Sequence, residues 1–281
     1  MKDKKTKRKS KLKKKRKIFK KRNPSRNLQK QRIVLDTNIL YYLGNEDGLY
    51  DKVKDLNLIP NYINLWELSH SDNLLNREEN VRNAIRKMFP YQDNIIFEPP
   101  FIHLLKLKYK KYRFEIFPNL KYILDFTSRI AKGESIDENE RERFKEYIDE
   151  SKKGINEFTS SVTEEANKIS KRLHDKKAHR KKHSIPYIAN FINALIQNES
   201  NNKRSLEGFN LKRIELFICT MDAFFKSLET GERNVEPNDW NDLFVLLYVQ
   251  PGDKFWTRER KWKNLIKAAG CEHYLYQEPT E

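Results

Sequence analysis

The chain has 281 residues, with 57 Lys and Arg against 40 Asp and Glu, and a formal net charge of +17. The first 32 residues hold 18 of the basic side chains and one of the acidic ones, so residues 33–281 carry 39 of each and are neutral. The longest uninterrupted apolar runs, such as residues 243–249, are far shorter than the about 20 residues of a membrane span, and two cysteines cannot form a disulfide framework. These features predict a protein with no membrane contact in a reducing, cytoplasmic compartment, or in the nucleus if the organism is a eukaryote.

Residues 1–32 form a Lys/Arg-rich segment, which we call the basic tail. Like charges at this density repel one another, and the tail has few apolar side chains to bury in a core. Both features predict a disordered tail. Its expected partner is nucleic acid, RNA in particular, because each phosphate that it neutralises releases counterions; a solubilising tail or a nuclear import signal is the alternative. The expected contacts are Lys13, Lys14, Lys15, Arg16, Lys17, Lys20, Lys21 and Arg22.

The composition changes abruptly after the basic tail. Residues 33–35 are apolar and mostly β-branched, which predicts a buried strand, and a helical pattern follows at residues 39–43. Asp36 stands between them, at the carboxyl end of the predicted strand, where open α/β sheets bind ligands. A second pattern, over residues 60–75, predicts a short helix that carries Glu67.

The rest of the chain is mostly helical in pattern and returns to strands near its end. Helices are predicted at 77–88, 101–112, 119–131, 136–179, 186–198, 211–228, 243–249 and 259–269, and strands at 93–97, 254–257 and 273–276. Alternating strands and helices at both ends predict an α/β fold with a parallel sheet, interrupted by a large helical insertion at about 76–234.

Acidic residues fall where the predicted strands meet helices: Asp36, Glu67, the pair Asp239 and Asp242, and Glu259. Mg²⁺ and Mn²⁺ take carboxylate oxygens as ligands, and two such ions can activate a water and stabilise the leaving oxygen of a phosphodiester. Each of these acids also has a structural alternative, as a helix cap or as an ordinary surface group, and one aspartate of the pair can cap the helix while the other binds metal.

The segments around these acids resemble the motifs of PIN-domain nucleases. IVLDTNILYYL (residues 33–43) is similar to their opening strand and helix, and INLWEL (63–68) to their second acidic motif. NDWNDLFVLLY (238–248) and FWTRERKW (255–262) resemble the third and fourth motifs. The resemblance implies a PIN-like doubly wound parallel sheet over residues 33–281, with its core at about 33–75 and 235–276, and an Mg²⁺- or Mn²⁺-dependent endoribonuclease.

The resemblance also implies a role for each residue. Asp36, Glu67, Asp239 and Asp242 are the expected catalytic residues, and the expected metal ligands are these four and Glu259, which stands where the family usually has Asp. Asn38 and Thr257 are expected to orient the ligands by hydrogen bonds. The alternative is a catalytically degenerate PIN-like module that binds RNA or a ribonucleoprotein, and the helical insertion is a candidate surface for a protein partner.

Overall fold

Three short strands form the sheet of the computed structural model. They are β1 (Arg32–Leu35), β2 (Asn57–Ile59) and β3 (Lys254–Trp256), they lie in the order β2-β1-β3, and both pairs are parallel. Parallel strands of this kind need crossover connections, which here are helical. The protein is therefore an α/β protein with a small parallel sheet and a large share of helix, in agreement with the predicted class.

The structure describes residues 30–110, 112, 118–175, 185–200, 203–229 and 235–278. The contacts between residues divide the chain after Lys30, and residues 31–281 form one unit. The predicted disorder of the basic tail and its eight predicted nucleic-acid contacts concern residues outside the described ranges. Within those ranges, no helix is both long and apolar enough to cross a lipid bilayer.

Twelve α-helices surround the sheet in the described part of the chain. They are α1 (Thr37–Asn45), α2 (Leu49–Val53), α3 (Tyr62–Ser69), α4 (Asp72–Asn76), α5 (Glu78–Met88), α6 (Pro100–Lys108), α7 (Pro118–Ala131), α8 (Glu138–Asp175), α9 (Ile185–Glu199), α10 (Glu215–Glu229), α11 (Asp239–Val245) and α12 (Arg260–Ala268). Four 3₁₀ segments lie at Phe89–Asn94, Leu211–Ile214, Leu246–Tyr248 and Glu272–Tyr274. The predicted insertion is mostly helical where it is described.

Two predicted strands are wrong, and one strand was not predicted. Residues 93–97 overlap a 3₁₀ segment and contribute only a single bridge, from Ile96 to Asn61, because prolines on both sides of the segment remove backbone donors. Residues 273–276 likewise form a 3₁₀ turn and one bridge, from Leu275 to Phe255. The strand that was not predicted is the edge strand β2, which has three residues and is too short to show a clear alternation of apolar and polar side chains.

Helices cover both faces of the sheet. Val34 and Phe255 pack on one face into an apolar cluster with α10, α11 and α12, whereas Leu35 and Trp256 pack on the other face with α1, α5 and α7. The helix after β1 thus lies on one face, and the helix after the neighbouring β3 lies on the opposite face. The crevice at a switch of this kind, outside the carboxyl ends of the strands, is where open α/β sheets bind ligands.

The packing of α1 against α5 requires glycine at position 44. A Cβ atom on Gly44 would lie 2.6 Å from backbone atoms of Asn83 and Ala84, which cannot move aside as a flexible side chain can. We expect Gly44→Ala to lower the free energy of unfolding by about 2 kcal/mol, as overpacking does. Gly154→Ala is the matched control, since an added Cβ in α8 meets nothing within 4 Å, and it should stabilise the helix by about 0.5–1 kcal/mol. Urea unfolding of both variants tests this; equal stabilities would contradict the close approach.

Candidate active site

The ends of β1 and β3 hold two acidic residues in one hydrogen-bonded network. The backbone N–H of Asp36 donates to the carbonyl of Trp256 at 3.0 Å, which extends the pairing of the two strands by one residue. The Thr257 hydroxyl donates to Oδ2 of Asp36 at 2.6 Å and accepts from the backbone N–H of Glu259 at 3.0 Å. The Asn38 amide donates to Glu259. Thr257 and Asn38 thus contact the two carboxylates that they were predicted to orient.

Helix α3 brings Glu67 to the same place. It begins with a capping box, in which the Asn61 side chain accepts from the backbone N–H of Asn64 and the Asn64 side chain accepts from that of Asn61. Both amides also donate to the carbonyl of Leu35, at 3.1 and 3.2 Å, and Asn64 donates to the Thr37 hydroxyl at 3.1 Å. Both asparagines are fully buried, so they fix α3, and Glu67 on it, against the end of β1.

The two aspartates of α11 have different partners. Asp242 accepts a hydrogen bond from the Trp262 indole N–H at 2.9 Å and faces the other acids. Asp239 forms an ion pair with Lys261, and its other oxygen accepts from the backbone N–H of Glu236 at 3.0 Å, which closes the turn at the start of the helix. Asp239 was predicted as a catalytic residue and metal ligand, and a capping role was left open for one of the pair. In the structure its oxygens contact Lys261 and a backbone N–H that precedes the helix, no side chain caps the helix at Asn238, and the pKa of Glu259 is raised by burial and also by the charge of Asp239.

Asp36, Glu67, Asp242 and Glu259 line one cavity of about 350 Å³, which we call the acidic pocket. Asp239 is not among the residues that line it. At its rim, Asp72 accepts from the Lys152 ammonium of α8 at 2.6 and 2.7 Å. The four carboxylates come from four separate elements, and the pocket opens at the carboxyl ends of β1 and β3.

The carboxylates of the acidic pocket hold their protons more tightly than ordinary acids. The pKa of Asp36 is raised to about 6, mainly by burial. The hydrogen bond from Thr257 lowers this pKa, and the charge of Glu259 raises it further. Burial also raises the pKa of Glu67 to about 7 and that of Asp242 to about 9, and in both cases the neighbouring carboxylates add to the effect. The pocket therefore gathers acidic groups whose ionised forms repel one another. Of the nearby basic side chains, Lys152 pairs with Asp72 at the rim, and the charge of Lys261 opposes the rise that burial gives to the pKa of Glu259.

The donor atoms of the acidic pocket suit a hard divalent cation. They are carboxylate oxygens, which Mg²⁺ and Mn²⁺ prefer, whereas Nδ1 of the nearby His70 lies 2.7 Å from the Trp66 carbonyl and is already engaged. Over the described ranges, no three His, Cys, Asp or Glu side chains are arranged to hold one ion as they stand. Asp36, Asp242 and Glu259 are each held by a hydrogen-bond donor of the protein. The donor set thus fits such an ion, but its present arrangement is not a finished coordination sphere.

Several residues of the site were not found from the sequence. The capping box of Asn61 and Asn64 had a readable signal, since asparagine three residues before asparagine precedes an apolar helical pattern. Lys152 had none, because it reaches the pocket from a helix that is distant in the chain; Trp262, three residues after Glu259, had none because its contact with Asp242 joins two helices. Comparison of the chain with protein-family models, with curated proteins and with solved structures gave no match.

Proposed function

We propose that this protein is a metal-dependent nuclease whose substrate is RNA, with a PIN-like doubly wound core. Asp36, Glu67, Asp242 and Glu259 would hold Mg²⁺ or Mn²⁺. The observation that carries the proposal is the convergence of these four carboxylates, from four separate elements, on the crevice where the helices after β1 and β3 leave on opposite faces of the sheet.

A purely structural role does not account for this convergence. Placing like charges together in a partly buried pocket costs free energy, which a protein avoids unless a cation or a proton compensates it. By contrast Asp239, which is not among the residues that line the pocket, is paired with a lysine. The pKa values of Asp36, Glu67 and Asp242 are raised first by burial and then by the neighbouring carboxylates, so ionising these groups without a cation is costly.

The chain's own residues give the pocket a fixed geometry. Thr257 holds Asp36, Asn38 holds Glu259 and Trp262 holds Asp242, so that each carboxylate is oriented before a substrate arrives. Lys152 at the rim and the basic tail supply positive charge that attracts a polyanion toward an acidic site. Bound ions would supply an activated water and stabilise the leaving oxygen in phosphodiester hydrolysis.

The test is cleavage of RNA and DNA by the purified full-length protein with Mn²⁺ or with a chelator. We expect cleavage that requires the metal, prefers RNA, and falls by on the order of a thousandfold in Asp36→Asn, since a metal site contributes several kcal/mol to the transition state. Asp51→Asn is the control, because Asp51 is an exposed aspartate that pairs with Lys54 away from the pocket. Calorimetric titration of Mn²⁺ into the three proteins, with and without a short RNA, reports binding separately.

Two results would contradict the proposal. Cleavage that survives in Asp36→Asn would assign the activity to another site or to a contaminant. A wild-type protein that neither cleaves nor binds Mn²⁺, even with RNA present, would instead support the alternative of a PIN-like module that binds RNA without cutting it.

A further inference from the structure

A second cavity, lined mainly by aromatic and apolar side chains, adjoins the acidic pocket. Its volume is about 220 Å³, and Trp66, Ile155 and Asn241 line both cavities, so the two share a wall. We call it the apolar pocket. An apolar cavity of about 150 Å³ already accommodates a benzene ring, so the apolar pocket has room for a single flat ring system.

Five of the eleven residues that line the apolar pocket are aromatic. Besides Trp66 they include Tyr62, Phe101 and Phe244, and the Phe101 and Phe244 rings meet edge to face with centroids 5.1 Å apart. Phe158 of α8 also lines the pocket; its ring centroid is 6.2 Å from that of Phe244, and 37% of the residue is exposed. The partly exposed Phe158 ring, beside a cavity lined by other aromatic rings, offers apolar surface that a flat ligand would cover.

Helix α8 connects the two cavities. Lys152 lines the acidic pocket, Ile155 lines both, and Phe158 lines the apolar pocket. These residues recur every third position, so they share one face of the helix. A single helix face therefore presents, in order along its axis, a positive charge next to the carboxylates and an aromatic ring over the apolar cavity.

We propose that the apolar pocket binds one unstacked nucleobase of the strand whose phosphodiester enters the acidic pocket. This inference rests on the proposed function. The chemistry of the two cavities matches the two halves of a nucleotide: the acidic pocket and Lys152 suit a phosphate with its metal, and the aromatic walls suit a base, since every base has a π-face on which a ring can stack. A base inside a duplex is already paired and stacked, so the substrate is a single strand or an unpaired nucleotide.

The experiment compares two single strands of equal length and charge with Ca²⁺ in place of Mn²⁺, so that a hard cation is present for the acidic pocket, and strands recovered intact show that no cleavage has taken place. One is oligouridine, and the other is the same ribose-phosphate backbone without bases. We expect the full-length wild-type protein to bind oligouridine about tenfold more tightly than the strand without bases, because stacking of one base on aromatic side chains contributes about this much affinity. Phe158→Leu should lose most of this ratio, because leucine fills the space without offering a ring. The basic tail contributes equally to both strands, so it cancels in the ratio.

The matched control is Tyr122→Leu, which removes an aromatic ring that is also exposed, on α7 and outside both cavities; it should keep the wild-type ratio. Equal binding of the two strands by wild type, or an unchanged ratio in Phe158→Leu, would overturn the base site. Metal-dependent cleavage without base preference would overturn this inference alone. Base preference without cleavage would support the base site and count against the proposed nuclease.

Discussion

Asp242→Asn is expected to lower the rate of Mn²⁺-dependent RNA cleavage by on the order of a thousandfold, while Asp239→Asn cleaves at close to the wild-type rate. The two substitutions are identical and lie three residues apart on α11. Asparagine keeps the size of the side chain, and its oxygen can still accept from Trp262 or from the Glu236 N–H. Only at position 242 does the lost charge belong to the acidic pocket.

Single-turnover cleavage rates at saturating Mn²⁺ measure this difference, and calorimetric titration shows whether the ion still binds. Thermal unfolding is needed beside them, because Asp239→Asn leaves Lys261 without its buried partner and should cost some stability. An active Asp242→Asn together with a folded but inactive Asp239→Asn would restore the ligand set predicted from the sequence and overturn the one proposed from the structure.

The sequence could not separate these two aspartates because their difference is tertiary. Both lie at the start of one short helix, and residues three apart share a helix face. The difference comes from the neighbouring helix α12, where Lys261 pairs with Asp239 and Trp262 donates to Asp242. Consecutive residues of a helix point about 100° apart, so these two side chains reach different aspartates. The sequence of residues 238–245 alone therefore does not indicate which of the two aspartates pairs with a lysine.

The order of strand, acid and helix was more informative. Asp36 follows β1, Glu67 lies on a helix and Glu259 follows β3 by three residues, as their local patterns predicted. Such contexts are visible because burial and periodicity leave a local signal. The predicted strands at 93–97 and 273–276 were wrong because short apolar runs beside prolines or a glycine match a strand pattern, yet each run forms only a single bridge.

The helical insertion shows most clearly what the sequence alone could not predict. Its helices were predicted from their periodicity, but not their positions in the fold, which depend on contacts between distant residues. In the structure, α7 and α10 complete the two apolar clusters on opposite faces of the sheet, and α8 lines the site through Lys152 and Ile155. A segment that the sequence marks only as an elaboration of the core thus forms part of the candidate active site. Whether it also binds a partner protein stays a prediction.

The metal-free protein is expected to lose stability as the pH rises from about 7 to about 9. The pKa values of Glu67 and Asp242 are raised to about 7 and about 9, far above those of the unfolded chain, so the folded state holds protons that the unfolded state has released. Their contribution to stability is complete at low pH and is lost as the pH rises through the folded-state pKa values. A difference of about one proton over this range lowers the free energy of unfolding by about 2 kcal/mol.

Histidines contribute little to this slope, but Cys219 and Cys271 ionise at about pH 8.5 in the unfolded chain, so the comparison with Asp242→Asn isolates the acidic pocket. The pKa values of His70 and His103 are lowered to about 4 by burial, so both are neutral in the folded state, and an unfolded histidine has also lost its proton above about pH 7.

Urea unfolding in chelator at both ends of the range measures the slope. Asp242→Asn should flatten it, because the amide has no proton to release, while Asp239→Asn should keep it. Saturating Mn²⁺ should reverse the slope for the wild type, since the ion binds the ionised carboxylates that protons otherwise occupy. A slope that is the same in Asp242→Asn as in wild type would show that the four carboxylates do not repel one another, and the argument for a cation at this pocket would lose its electrostatic support.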